Sequence, residues 1–138
     1  MRPIVPPLLL ALGAGLSSPA SAQTATPKID CNNATSTVEL NYCDEQELEK
    51  ADKALNEAYR ATLARIEKTT ALEPKVRAEW RKSIQDAQRK WIAFRDADCK
   101  GATAYEWYGG TGATLAVLGC MRAMTVERTK ELRERNDR

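Results

Sequence analysis

Between Trp80 and Cys99 the large side chains recur in steps of three and four. Trp80, Ile84, Ala87, Trp91, Phe94 and Asp98 therefore fall on one side of a helix. Trp80, Trp91 and Phe94 supply much of the aromatic bulk of the chain, and each ring buries a large area once covered. A helix this apolar on one side has to be packed against others, so the segments before and after it are expected to supply that cover.

The cysteines say how such a packing is held. There are four, Cys31, Cys43, Cys99 and Cys120, an even number that reads as disulfides in an exported chain. Three pairings are possible, and Cys31–Cys43 with Cys99–Cys120 is favoured because each closes a short local loop. Zinc is not expected, since the chain has no histidine and no C-x-x-C pair.

Export itself is read from the first residues. Met1-Arg2 precedes an uncharged apolar run from Ile4 to Leu16, and Ala20-Ser21-Ala22 follows. This is the three-part pattern of a secretory signal cut after Ala22. The run is shorter than the roughly 20 residues a membrane span needs, and Pro3, Pro6, Pro7 and Pro19 oppose a buried helix there. No cysteine stands immediately after the cut, so a lipid anchor is not expected. The expected organisation is a cleaved signal at 1–22, a flexible leader at 23–30 and one helical domain at 31–135. The product is expected in the periplasm or outside the cell, with no stable membrane anchor. Its 21 Lys and Arg nearly balance 19 Asp and Glu, which demands neither nucleic acid nor an anionic membrane as partner.

Within the domain, Ser36-Thr37-Val38-Glu39 fits a capping box on a short N-terminal helical turn. A first long helix is expected from about Asp44, with Leu48, Ala51, Leu55, Tyr59, Thr62, Leu63 and Ile66 as its apolar stripe. Asp52 and Asn56 lie beside that stripe, placed to tie helices together. Lys68 to Leu72 reads as a turn, and Pro74 suits the first position of a second helix running to about Cys99. A short link between long helices makes them antiparallel neighbours. Gly101, Gly109, Gly110 and Gly112 are expected to break helical order around Ala104-Tyr105-Glu106-Trp107-Tyr108. A third helix from Thr111 or Thr114 would use Leu115, Val117, Leu118, Met121, Met124, Val126 and Leu132. The fold class is all-α: an antiparallel bundle of three long helices plus a short N-terminal helix, tied by two disulfides.

Catalysis finds little support. Histidine, the commonest general base, is absent. No Gly-x-Ser-x-Gly elbow surrounds a serine, and Gly109-Gly110-Thr111-Gly112 lacks the lysine of a phosphate loop. Asp96 and Asp98 are two apart and point to different faces of a helix. No catalytic residue, cofactor or metal is expected. Arg95 is placed to pair with Asp96 locally or with Asp52 across helices. Three aromatic residues around one carboxylate in a loop either fold back on the bundle or form a contact site.

One ordered set of residues resembles a known family. It runs Cys31, Glu39, Cys43, Leu48, Ala51-Asp52, Leu55-Asn56 and Tyr59. It continues through Ala87-Gln88-Arg89, Trp91, Phe94-Arg95-Asp96 and Cys99, then Gly109-Gly110-Thr111, Cys120, Thr125, Arg128 and Leu132. This resembles the lysozyme inhibitor LprI-like family, small exported helical proteins with four cysteines, over about Cys31 to Leu132. The resemblance implies a protein of the bacterial envelope, not an enzyme, that binds and inhibits a lysozyme-type muramidase. The contact residues expected on this reading are Lys100, Tyr105, Glu106, Trp107 and Tyr108. Asp52, Asn56, Tyr59, Gln88, Trp91, Arg95 and Asp96 are expected to be structural. The alternative is an interaction or immunity-type module that binds another envelope protein or toxin.

Overall fold

A computed structural model describes residues 29–137. The signal expected at 1–22 and most of the leader expected at 23–30 lie outside the described residues. The order is α1 (Thr37–Lys68), α2 (Pro74–Ala97), a π-helical segment (Asp98–Thr103), α3 (Ala104–Glu106) and α4 (Ala113–Asn136), with no strand among the described residues.

Ser36 starts α1 by the expected box. Its Oγ accepts from Glu39 N at 3.2 Å, and Ser36 N donates to the Glu39 carboxylate at 3.0 Å. The box opens the long helix itself, so the short helix expected before Asp44 does not exist as a separate element. The helix passes straight through Cys43 and Asp44, and the Cys31–Cys43 bridge ties the incoming strand of chain to its second turn. Thr69 closes the other end, donating N–H to Ile66 O and Oγ1–H to Arg65 O. Pro74 takes the first turn of α2, as its fixed φ and missing amide allow.

From Pro74 to Glu106 the helical path is unbroken. Asp98 (φ −68°, ψ −53°) and Ala104 (φ −62°, ψ −38°) at its two junctions keep helical angles. Gly101 therefore does not break the helix as expected. The backbone widens to a π-helix there, and the non-helical turn is confined to 107–112.

The helices meet at successive levels. At one end Cys99, fully buried and bridged to Cys120, packs with Leu48 and Met121. In the middle Arg95 reaches Asp52 on α1 and Thr125 on α4. Beyond it Leu55 and Ala58 pack with Leu132, with Tyr59 and Trp91 alongside. At the far end Arg65 lies 5.2 Å from the Trp80 ring and Arg81 reaches Glu67 at 2.7 Å. Helix α1 lies against α4 far more extensively than against α2.

The inward face of α2 differs from the expected one. Ile84, Gln88 and Arg95 are buried, with Trp91 half-buried, whereas Phe94 is 60% exposed and Ala87 is exposed. On α4 the buried positions are Met121, Thr125, Arg128, Thr129 and Leu132, and Val126 faces out. Both corrections have one cause. The interior holds a polar layer, and polar residues with partners inside displace apolar ones from the inward stripe.

Candidate functional site

Two groups of residues stand out, one inside the bundle and one at its end. The inner group is built on Arg95. Its Nη1 donates to Asp52 Oδ1 at 2.8 Å and to Thr125 Oγ1 at 2.9 Å. Its Nε and Nη2 both reach Asp96 Oδ1, at 3.1 and 3.0 Å. Both partners foreseen for Arg95 are thus engaged at once, and Thr125 is a third that charge pairing alone does not reveal. One helical turn pair away, Arg128 Nε donates to Gln88 Oε1 at 3.1 Å, and its Nη1 pairs with Glu131. The Trp91 ring is shared by these two cations, 5.5 Å from Arg95 and 5.9 Å from Arg128, the geometry in which an aromatic face attracts a guanidinium.

Beside this network a groove of about 370 Å³ opens between α1 and α2, bordered by Asp52, Asn56, Tyr59, Gln88 and Arg95. Five of the seven residues expected to be structural thus line one concavity. Arg89 also borders it, with its guanidinium on Asp86.

The second group is the aromatic turn. Gly110 N donates to Trp107 O at 2.7 Å, and the two residues between them, Tyr108 (φ 47°) and Gly109 (φ 72°), are both left-handed. Those φ values mark a type I′ turn. Glycine occupies such positions without strain, whereas a tyrosine there costs about 1–2 kcal/mol. Tyr108 is 96% exposed and Tyr105 81%. Trp107 is half-covered because its ring lies on Gly112. A Cβ at Gly112 would fall 2.4 Å from the ring, so this contact requires glycine. Glu106 is exposed. The turn is thus split between the two readings given to it: Trp107 folds back, while both tyrosines project.

Lys100, expected at the contact surface, is exposed beside the turn. Its ammonium donates to Asp96 Oδ2 at 2.8 Å. A charge chain therefore runs from Lys100 through Asp96 and Arg95 to Asp52 and joins the base of the turn to the inner group. The Lys100 hydrogen bond is the main cause that holds the Asp96 carboxyl below its ordinary 3.8. Partial burial opposes it, and Arg95 adds to it. A carboxyl depressed on folding stabilises the protein above its unfolded pKa, and that contribution is lost as pH falls through the lower folded value. Carbonyl NMR should place the Asp96 midpoint below 3.8, and Lys100→Met should move it upward. An unchanged midpoint in that variant would remove Lys100 as the cause.

Asp98, Cys99 and Cys120 have ligand atoms close together, but both sulfurs are spent in the disulfide and offer no thiolate to a metal. No helix among the described residues is long and apolar enough to cross a membrane.

These features define a small helical, disulfide-tied protein whose most exposed aromatics among the described residues sit on a shaped turn. The chain belongs to the lysozyme inhibitor LprI family, whose model matches residues 31–132. That family comprises inhibitors, not enzymes, and membership implies protein binding of the lysozyme-inhibitor type. The chain is also similar to an uncharacterized protein of Rhizobium meliloti (strain 1021), 36% identical over 137 residues that cover 97% of this chain and 95% of the relative. No solved structure matches.

Proposed function

We propose that this protein is a periplasmic or secreted inhibitor that occludes the cleft of a lysozyme-type muramidase with its Tyr105–Tyr108 turn. On this reading residues 1–22 are a cleaved signal, 23–30 a leader and 31–135 the inhibitory domain. Helix α2 runs antiparallel to its neighbours and delivers the turn at one end of the bundle. The observation that carries the proposal is Tyr108, almost wholly exposed and held left-handed at the tip of the turn. Strain at an exposed aromatic is a mark of a contact site, because ordinary folding gives no reason to keep it.

Family membership supports the target class. Two features support the mode of binding. The turn is closed at its base by the Cys99–Cys120 bridge, so little order has to be gained on binding. Lys100 is neutralised by Asp96 while Glu106 is exposed, so the turn offers net negative charge to a basic enzyme surface.

Replacing Tyr105, Trp107 and Tyr108 together by alanine should abolish inhibition in a cell-wall lysis assay and leave the helical circular dichroism unchanged. Retained inhibition would move the contact surface elsewhere. Absence of inhibition by the native protein towards every muramidase tried, with turn-dependent capture of another envelope protein, would favour the interaction-module reading.

A further inference from the structure

We propose that the cavity at the Trp80 end of the bundle binds a small oxyanion, a phosphate or carboxylate group, between the guanidinium groups of Arg65 and Arg135. The inference begins with Arg65, whose Nε is buried and has no hydrogen-bond acceptor. Arginine does not give up its charge in a protein, so a covered N–H without an acceptor is a standing cost. The Trp80 ring lies 5.2 Å from the guanidinium carbon. Its face attracts the cation, but it supplies no acceptor to N–H groups that point along the guanidinium plane. Every other arginine that the fold covers at least in part, among the described residues, has an oxygen partner. Arg77 has the Leu72 carbonyl, Arg81 has Glu67, Arg95 has Asp52 and Asp96, and Arg128 has Gln88 and Glu131. Arg65 is the exception.

The surroundings of Arg65 suit an anion. With Thr62, Trp80, Ile84 and Arg135 it borders a cavity of about 290 Å³, to which α1, α2 and α4 all contribute. Arg135 is exposed and, like Arg65, forms no ion pair with a carboxylate among the described residues. Glu67, two residues from Arg65, is engaged by Arg81, and Glu131, one turn from Arg135, is engaged by Arg128. Two like charges bordering one cavity repel, and an anion between them turns that repulsion into two attractions. Each guanidinium also offers a planar fork that matches the paired oxygens of a carboxylate or phosphate. Trp80, half-buried, and Ile84, buried, give apolar surface to the body that carries the oxyanion.

Other ligand classes fit less well. A metal ion would meet two positive charges and no carboxylate in the lining. A wholly apolar ligand would leave both charges uncompensated. The volume lies just below the usual range of ligand sites, so the cavity takes a compact group rather than a chain. Trp80 stands near the start of α2, so the site lies at the opposite end of the bundle from the Cys99–Cys120 bridge and the aromatic turn.

Titration of the ¹⁵N-labelled, oxidised protein with phenyl phosphate, benzoate and inorganic phosphate tests this, with phenol as the neutral probe and chloride holding the ionic strength constant. At least one anion should shift the Arg65 Nε–H and Trp80 indole signals and leave the Tyr105–Tyr108 backbone signals in place. The tighter of phenyl phosphate and benzoate identifies the oxyanion. Arg65→Gln removes the half-buried charge, and Arg135→Gln changes an exposed side chain that the fold does not depend on. Each should weaken anion binding about tenfold with unaltered circular dichroism. Tyr105→Ala/Tyr108→Ala should bind the anion as the native protein does, which separates this site from the inhibitory turn. No shift with any of the three anions, phenol binding as tightly as they do, or anion affinity unchanged in either arginine variant would overturn the assignment.

Discussion

Arg95→Ala is expected to be the most damaging single substitution in the bundle, with a loss of about 3 kcal/mol in urea unfolding. Breaking a buried ion pair from one side costs about 3–5 kcal/mol, because the remaining charge is left without compensation. The lower end applies here. The Arg95 side chain is 9% exposed, but those of Asp52 and Asp96 are 42% and 34% exposed and regain water when it is gone. Thr125, fully buried, loses its donor and keeps no access to solvent. Arg95→Lys should recover only part of the loss, since one ammonium cannot reach three partners arranged for a planar fork. A loss under about 1 kcal/mol in the alanine variant would mean that the network behaves as an exposed surface pair.

The second large effect is expected from the Cys99–Cys120 bridge. Replacing both cysteines by alanine should lower stability by about 3 kcal/mol from the freed chain entropy alone. Cys99 is fully buried against Leu48 and Met121, so lost packing adds to this. The Cys31–Cys43 bridge closes a loop of comparable chain-entropy value, with sequence separation 12 against 21, but Cys31 is exposed and its loop lies at the edge of the fold. Its removal should fray the first turns of α1 and leave the bundle standing. Parallel urea curves of the two double variants check this, and an equal or larger loss from the Cys31–Cys43 variant would contradict it. The Cys99 variant should also lose turn-dependent inhibition, because the π-helical segment that carries the turn is no longer held to α4.

How far such a structure is legible in the sequence varies by element. The α1 stripe from Leu48 to Ile66, the Pro74 start of α2 and both disulfides follow from spacing and loop length. The Arg95 pairing follows from charge placement. The inward face of α2 does not. Trp80, Ile84, Ala87, Trp91, Phe94 and Asp98 share a helical spacing, but so do Ile84, Gln88, Trp91, Arg95 and Cys99, which the fold turns inward. Hydrophobicity selects the first set. The second wins because Asp52, Thr125 and Arg128 on other helices satisfy its polar members, and those partners lie far away in the chain. The capping box is legible at Ser36, but the long helix is expected only from about Asp44, whereas the box opens that helix itself. Nothing local distinguishes a helix-opening acid from one inside a helix that pairs with Lys50 or faces Arg122. Glycine suggested a break at Gly101, where the chain instead absorbs the residue in a wider helix. For the aromatic turn, composition gave the residues, but only the backbone separates the anchored Trp107 from the projecting tyrosines.

The polar layer also governs how the protein responds to temperature. Unfolding a hydrocarbon interior raises heat capacity, whereas exposing polar groups lowers it. Here Thr62, Gln88, Arg95, Thr125, Arg128 and Thr129 take interior positions that Leu or Phe fill in an ordinary bundle. The heat-capacity increment of unfolding is therefore expected to be small for a domain of this length, with a broad, flat stability curve that calorimetry would show. Such a protein owes its persistence less to the strength of the hydrophobic effect at any one temperature than to bonds, covalent and ionic, that change little between cold and warm surroundings.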